Sequence, residues 1–420
     1  MDKFKINGPS RISGEVSISG SKNSALPILA ATILFDKQVT IKNLPRVRDI
    51  DTMLNLLKSL GSKIKFKKNK KIAIISKGIR NKFFAPYSLV KTMRAGILVL
   101  GPLLAKLKKA KVSSPGGCSI GVRPIDIHLK AISKLGVKFQ IIKGYVYASA
   151  NKGLTGSNIR LSKISVGATE NVILAACLAK GITTISNCAI EPEIKDLTSF
   201  LKIGGANIKW VGKRTLRIEG VKTLKSINYS IMNDRIEAGT FCVAACLNEG
   251  NLKIKNFDPK IINTELNLLK KIGAKIQINN HTIEVKGPKK IKSLDILKTG
   301  EYPRFPTDMQ AQFMVLLAKA NGKSVIQENI FENRFMHVPE LRRLGAKINI
   351  KGNKAIIEGS NSLEGAELMS SDLRASVALV LAAFIAKGTS IINRVYHLDR
   401  GYEKIENKLK KIGVKIKRIS

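Results

Sequence analysis

Acidic residues are scarce in this chain, with 30 Asp and Glu against 73 Lys and Arg in 420 residues and a formal net charge of +43. An excess of that size suits either nucleic-acid binding or a solvated surface that attracts small anions. The lysines recur along the whole chain on polar faces of predicted helices and strands, with aromatics at only 5% and no basic tail. That spread argues against a specific nucleic-acid partner. Long apolar runs are also missing: the longest, Val377–Ala386, is far short of the roughly 20 residues of a membrane-spanning helix. Met1-Asp2-Lys3-Phe4-Lys5 leads into no signal region, so a cytoplasmic protein without membrane insertion is expected. Five cysteines without a CxxC pair are too few for a disulfide framework. Cys177, Cys242 and Cys246 sit in alanine-rich runs and should be packed as small hydrophobes. His128, His281, His337 and His397 show no metal-ligand spacing, and there is no Walker, GxGxxG or Ser-His-Asp signature. Neither metal nor cofactor is expected.

What the chain has in abundance is itself. An apolar helix ending in glycine and followed by a short strand recurs as LKSLGSKIKF, ISKLGVKFQI, LKIGGANIKW, LKKIGAKIQI, LRRLGAKINI and LKKIGVKIKR. The glycines are Gly61, Gly136, Gly205, Gly273, Gly345 and Gly413, spaced by 68 to 75 residues, and each suits the left-handed position that ends a helix. A second series runs in phase: small-residue helices around Ala25, Ala95, Ala168, Ala238, Ala311 and Ala375. Segments such as ALPILAATIL and RASVALVLAAFIA are apolar on most sides and predict buried helices, whereas the helices ending in glycine carry lysine on one face and predict partial exposure. Six modules of about 70 residues result, each reading helix, strand, helix, strand, strand. Three modules have enough faces to close around a common helical core. The fold class is therefore α/β with two domains, 22–229 carrying the Cys118 loop and 1–21 plus 230–420. No linker is rich in Pro, Gly or Ser, so the connections near 20–22 and 228–232 should be short.

Unusual residues gather at two equivalent places in the module. One is the first turn of the buried helix, with Lys22 and Asn23, Arg94, Ser165 to Gly167, Asp234, Arg235 and Glu237, Asp308, and Asp372 with Arg374. The other precedes the amphipathic helix, where Arg48, Arg123 and Arg400 each lie 13 residues before their glycine and Arg334 lies 11 before. Equivalent positions of a repeat share a face, so helix N-termini and guanidinium groups should meet there and bind a polyanion. Taken singly, Asp234, Asp308 and Asp372 read as helix caps and the arginines as surface charges; the shared register of Arg48, Arg123 and Arg400 turns the set toward function. Cys118 lies in a glycine-rich loop, SSPGGCSIGVRP, five residues from Arg123; a thiol in a polar, cationic setting is more reactive than one in an apolar helix.

Ten blocks in order, ISGSKNSALPILAA, APYSLVKTMRAGI, PGGCSIGVRPIDIH, SVGATENV, EPEI, NDRIEAGTF, FPTDMQAQF, ENRFMHVPEL, DLRAS and HLDRGYEKIE, cover nearly the whole chain. In them the sequence closely resembles the UDP-N-acetylglucosamine enolpyruvyl transferases that open peptidoglycan synthesis, the targets of the epoxide fosfomycin. The resemblance implies two inside-out α/β barrels with the active site between them, and phosphoenolpyruvate and UDP-N-acetylglucosamine as substrates. It implies that Lys22, Asn23, Arg123 and Arg400 hold phosphoenolpyruvate. It gives Arg94, Arg123, Pro124, Ile125, Asp126, Ile127, Lys163, Ile164, Ser165, Val166, Asp308 and Ile330 to the sugar nucleotide. Cys118 matches the catalytic cysteine, as an acid at C3 of phosphoenolpyruvate or in product release, and Asp308 is the candidate base. Arg48 stands where lysine is the family's usual residue, which exchanges an ammonium for a planar fork. Enolpyruvylshikimate phosphate synthase is the nearest alternative, and an RNA-end-processing or RNA-binding protein a more distant one.

Overall fold

The computed structural model describes residues 2–76, 82–91, 93–114, 125–359 and 362–420. These divide into two compact units, 20–232 and 2–19 with 233–420. The chain passes from one to the other at Ser19–Gly20 and at Met232–Asn233.

The small-residue segments form the inside of each unit. In the first unit these are Lys22–Ala31, Leu100–Leu107 and Val166–Ala176; in the second, Arg235–Cys246, Gln310–Ala318 and Leu373–Ile385. Every residue of Arg235–Cys246 and Gln310–Ala318 is buried, which follows from having no polar face to offer water. The lysine-bearing segments form a second set of helices, Arg48–Ser59, Asp126–Ser133 and Pro192–Ile203 in the first unit, Asn263–Lys271, Val338–Arg343 and Ile405–Lys411 in the second. They bury mainly the Leu and Ile face: in Arg48–Ser59, Ile50, Met53, Leu54, Leu56 and Leu57 are inward, together with Asp49. Gly61, Gly136, Gly205, Gly273, Gly345 and Gly413 follow these helices with φ between 89° and 106°, a conformation any side chain would strain.

Among the described residues, six four-stranded sheets cover the helices. One sheet shows the pattern: Asn158–Arg160 runs parallel to Ile182–Ser186, which pairs antiparallel with Thr215–Glu219, itself hairpinned with Asn207–Gly212. The reading of the repeat omits the short parallel strand that precedes most inner helices, because two or three residues such as Phe84–Ala85 or Leu297–Lys298 carry no periodicity. Lys3–Gly8 takes a different route: it lies between Gly388–Asn393 and Lys415–Ile419, antiparallel to both, in the place that the return strand of the hairpin holds elsewhere. Ser13–Ser17 pairs with Asn251–Lys255 of the second unit, and Ile227–Ser230 with Val39–Lys42 of the first. Each unit has its own apolar core, residues 25–231 in one and 4–18 with 236–416 in the other. Each is thus an inside-out α/β barrel, with helices within and sheets without.

The second module departs from the expected continuous helix. Arg94–Val99, including Ala95, is a 3-10 segment that runs into Leu100–Leu107. The Asn171 amide is inserted where the helical ladder would continue: its Oδ1 accepts Gly101 N–H at 2.8 Å and its Nδ2 donates to Ile97 C=O at 3.0 Å. A side chain in the ladder is a recognised cause of a helix break. Gly101 permits it, since a Cβ there would stand 2.4 Å from Asn171 O. Cys177, Cys188, Cys242 and Cys246 are free and buried, and burial pushes the Cys177 and Cys188 thiols up to about 12. No helix among the described residues is long and apolar enough to cross a membrane.

Candidate active site

In the first unit, Ser21 caps the Lys22–Ala31 helix by accepting Ser24 N–H at 3.3 Å, so Lys22 and Asn23 occupy its first turn. Gly20, just before, has no room for a side chain: a Cβ would stand 1.8 Å from Asn43 O. Lys22 is buried, and its Nζ donates to Asp49 Oδ2 at 3.1 Å. Asp49 is itself buried on the Arg48–Ser59 helix. Arg48 begins that helix rather than lying in the loop before it, because Val47 already has extended backbone and serves as the cap.

Arg94 opens its 3-10 segment, Asp126 opens the Asp126–Ser133 helix behind Ile125, and Ser165 caps Val166–Ala176 by accepting Ala168 N–H at 3.3 Å. Three of these segments meet around His128. A Cβ on Gly167 would lie 2.9 Å from His128 Cε1, and the Arg94 charge acts on the same ring. Burial, followed by Arg94, lowers the His128 pKa to about 4, against an upward pull from Asp126. Its tautomer follows from Asn171. Because Asn171 Oδ1 takes Gly101 N–H, the Nδ2 is the group 3.1 Å from His128 Nδ1, which must accept; the proton therefore sits on Nε2. Lys163 and Val166 are exposed, Ile127, Ile164 and Ser165 half-buried. Asp126 pairs loosely with Lys130 at 3.8 Å.

The second unit has a more strongly charged cluster. Asp234 and Asp372 are helix caps, Asp234 taking the N–H groups of Ile236 and Glu237 and Asp372 those of Arg374 and Ala375. Asp308 is not. It lies in the short 3-10 turn Thr307–Met309, and each carboxylate oxygen is held by a different guanidinium: Oδ1 by Arg334 Nη2 at 2.8 Å, Oδ2 by Arg374 Nη2 at 3.0 Å. Both arginine side chains are nearly buried while that of Asp308 keeps 29% of its surface. Arg334 also stands 4.0 Å from Asp372. Arg400 ends the Val395–Arg400 3-10 turn. Burial lowers the His397 pKa and Arg400 lowers it further, while Asp372 pulls it the other way.

Cys118, Arg123 and Pro124, assigned to this chemistry from the sequence, lie outside the described residues. Several buried residues escaped sequence reasoning. Glu328 is one: its Oε1 accepts the N–H groups of Ile330 and Phe331 at 2.8 and 3.2 Å, and its Oε2 the Thr307 hydroxyl at 2.9 Å, so one carboxylate fixes the Ile330 loop and the turn bearing Asp308. Asp49 and Thr240 are others. Their partners are distant in sequence, so no local pattern announces them.

The family described as EPSP synthase (3-phosphoshikimate 1-carboxyvinyltransferase) matches residues 6–409. Over all 420 residues the chain is 65% identical to the full length of UDP-N-acetylglucosamine 1-carboxyvinyltransferase from Pelagibacter ubique (strain HTCC1062). It is 50% identical to the enzyme of the same name from Helicobacter pylori (strain ATCC 700392 / 26695), covering all of this chain and 99% of that one. Among solved structures, the enolpyruvyl transferase NikO from Streptomyces tendae superposes with a TM-score of 0.90 at 24% identity, over 99% of this chain and 98% of that one. EPSP synthase from Acinetobacter baumannii does so with a TM-score of 0.76 at 17% identity, over the full length of both. Those two likenesses are of fold.

Proposed function

This chain belongs to the EPSP synthase family and, within it, to the UDP-N-acetylglucosamine 1-carboxyvinyltransferases; from that premise we propose that it moves the enolpyruvyl group of phosphoenolpyruvate to the 3-hydroxyl of UDP-N-acetylglucosamine and releases phosphate, the first committed step of peptidoglycan synthesis. The single observation that carries this reading is the 65% identity, which spans both chains end to end. Enolpyruvylshikimate phosphate synthesis is disfavoured, since likeness to that enzyme's structure is at 17% identity.

The reaction is an addition followed by an elimination. C3 of phosphoenolpyruvate gains a proton while the sugar 3-hydroxyl loses one and its oxygen bonds to C2, giving a tetrahedral ketal phosphate. The bond from C2 to the phosphate oxygen then breaks, C3 gives up a proton, and phosphate leaves. An acid and a base are required. Asp308 is the base in this proposal: Arg334 and Arg374 each hold one of its carboxylate oxygens, which aims the group, and 29% of its side-chain surface stays open to the sugar hydroxyl. Cys118 serves as the acid at C3 or in product release. Lys22, Asn23, Arg123 and Arg400 hold the phosphate and carboxylate as charge shifts between them. Lys22 does so by exchanging Asp49 for the substrate anion. Arg94, Ile125 to Ile127, Lys163 to Val166 and Ile330 receive the sugar nucleotide.

The test is acceptor dependence. Phosphate release from phosphoenolpyruvate should require UDP-N-acetylglucosamine; release with shikimate 3-phosphate in its place would overturn the assignment.

A further inference from the structure

The group that fixes Asp308 is found one layer below the arginines. Arg374, whose Nη2 holds Asp308 Oδ2, donates through Nη1 to the Tyr402 hydroxyl at 3.2 Å. Tyr402 and Arg374 are buried, and the Tyr402 oxygen lies 3.0 Å from Thr240 Oγ1. The direction of that last bond can be deduced. Thr240 has one hydroxyl hydrogen, and it goes to Ile236 C=O at 2.7 Å. Tyr402 must therefore donate to Thr240, leaving its own lone pairs for the guanidinium.

A second arm reaches the same oxygen. Gln312 Nε2 donates to Thr240 Oγ1 at 3.2 Å and to the backbone C=O of Asp308 at 3.0 Å. The carboxylate of Asp308 and its backbone are thus tied by separate routes to one hydroxyl. Those routes come from all three inner helices of the unit: Thr240 from Arg235–Cys246, Gln312 from Gln310–Ala318 and Arg374 from Leu373–Ile385.

We propose that Thr240 is a positioning residue for the transfer reaction, whose hydroxyl fixes Asp308 through Tyr402–Arg374 on one side and Gln312 on the other. The proposal rests on the reading of Asp308 as the base and adds the group that holds it in register. Buried hydrogen bonds that share a member strengthen and hold one another, so the loss of one link is felt along the others. A base displaced by a fraction of an ångström loses rate at the chemical step before it loses substrate binding.

The experiment compares Thr240→Val, which is isosteric but lacks the hydroxyl, with Thr240→Ser, which keeps it. Thr240→Val should lower kcat about tenfold or more while the KM for both substrates changes little. The acid limb of kcat/KM against pH should move upward, since the Arg374 guanidinium, no longer fixed through Tyr402, is held less firmly against the Asp308 carboxylate. Thr240→Ser should restore both. On an Asp308→Asn background, Thr240→Val should cause no further loss. A Thr240→Val enzyme with unchanged kcat and acid limb, or one whose loss is as large on the Asp308→Asn background, overturns the proposal. Asp308→Asn with undiminished kcat overturns the reading of the base and this proposal with it, so the two failures are told apart. If Thr240→Val melts below the assay temperature, Tyr402→Phe severs the carboxylate arm alone, and the same shift of the acid limb is expected; no shift counts against.

Discussion

His128 is surrounded by groups that deny it a proton. It is buried, it accepts from Asn171 through Nδ1, and the Arg94 charge acts on it, with the result that its pKa falls to about 4. His337, buried near Arg334 and drawn the other way by Asp372, is also lowered to about 4. The unfolded chain takes up a proton at each near pH 6.5 while the folded chain refuses it, so the stability of the neutral form is complete above that pH and is lost as pH falls toward 4. For His128 alone the loss is about 3 kcal/mol. Glu170 works in the opposite sense: burial, with Glu193 and Glu191 adding to it, holds its pKa well above the usual range. It therefore withdraws stability as pH rises. Urea unfolding followed at pH 4 and at pH 7 should show the acid loss, and His128→Gln should shrink the difference by that amount. An unchanged difference would place the acid sensitivity elsewhere.

The elements are held to one another by polar links that span long stretches of chain. Lys408, on the Ile405–Lys411 helix, donates to Glu237 Oε1 at 2.6 Å and to Ser17 C=O and Ser19 Oγ at 2.9 and 2.7 Å. Glu237 Oε2 takes Ser19 N–H at 2.7 Å. The first inner helix of the second unit, the outer helix and the strand Ser13–Ser17 are joined around this one ion pair. Lys408→Ala should destabilise the protein by about 3 kcal/mol, since Glu237 is left buried without its counter-ion; a denaturant midpoint within error of the parent would argue that water replaces the ammonium. How such links compare with what the sequence discloses is instructive. The glycines that end the outer helices and the apolar character of the inner ones were legible, because each is a property of adjacent residues. The cap-like position of Asp234 and Asp372 was legible for the same reason. Asp308 looked like a third cap, and only its separation from Arg334 by 26 residues and from Arg374 by 66 explains why the pairing was hidden. Tyr402 and Thr240, 162 residues apart, lie further still beyond local pattern.

At the scale of the molecule, a charge of +43 acts on the two proposed substrates, both of them anions. Exposed lysines raise the local concentration of such ligands, and salt screens the effect over about 10 Å at 0.1 M. Raising the NaCl concentration should therefore increase the KM for phosphoenolpyruvate and UDP-N-acetylglucosamine severalfold with little change in kcat. Insensitivity of KM to salt would show that attraction comes only from groups inside the site. Retention on single-stranded RNA should disappear over the same range, as expected of attraction by charge alone.

Lys3–Gly8 has its partners at Gly388–Asn393 and Lys415–Ile419. During translation at 5–20 residues per second, Lys3–Gly8 waits roughly 20–80 s for Lys415–Ile419. Unit 20–232 can close its own sheets well before then, because Ile227–Ser230 returns to Val39–Lys42. Phe4, Ile6 and Ile12, all buried in the finished protein, meanwhile stay open to water and to chaperones. The unit 20–232 can thus mature on the ribosome before the sheet that holds Lys3–Gly8 is sealed.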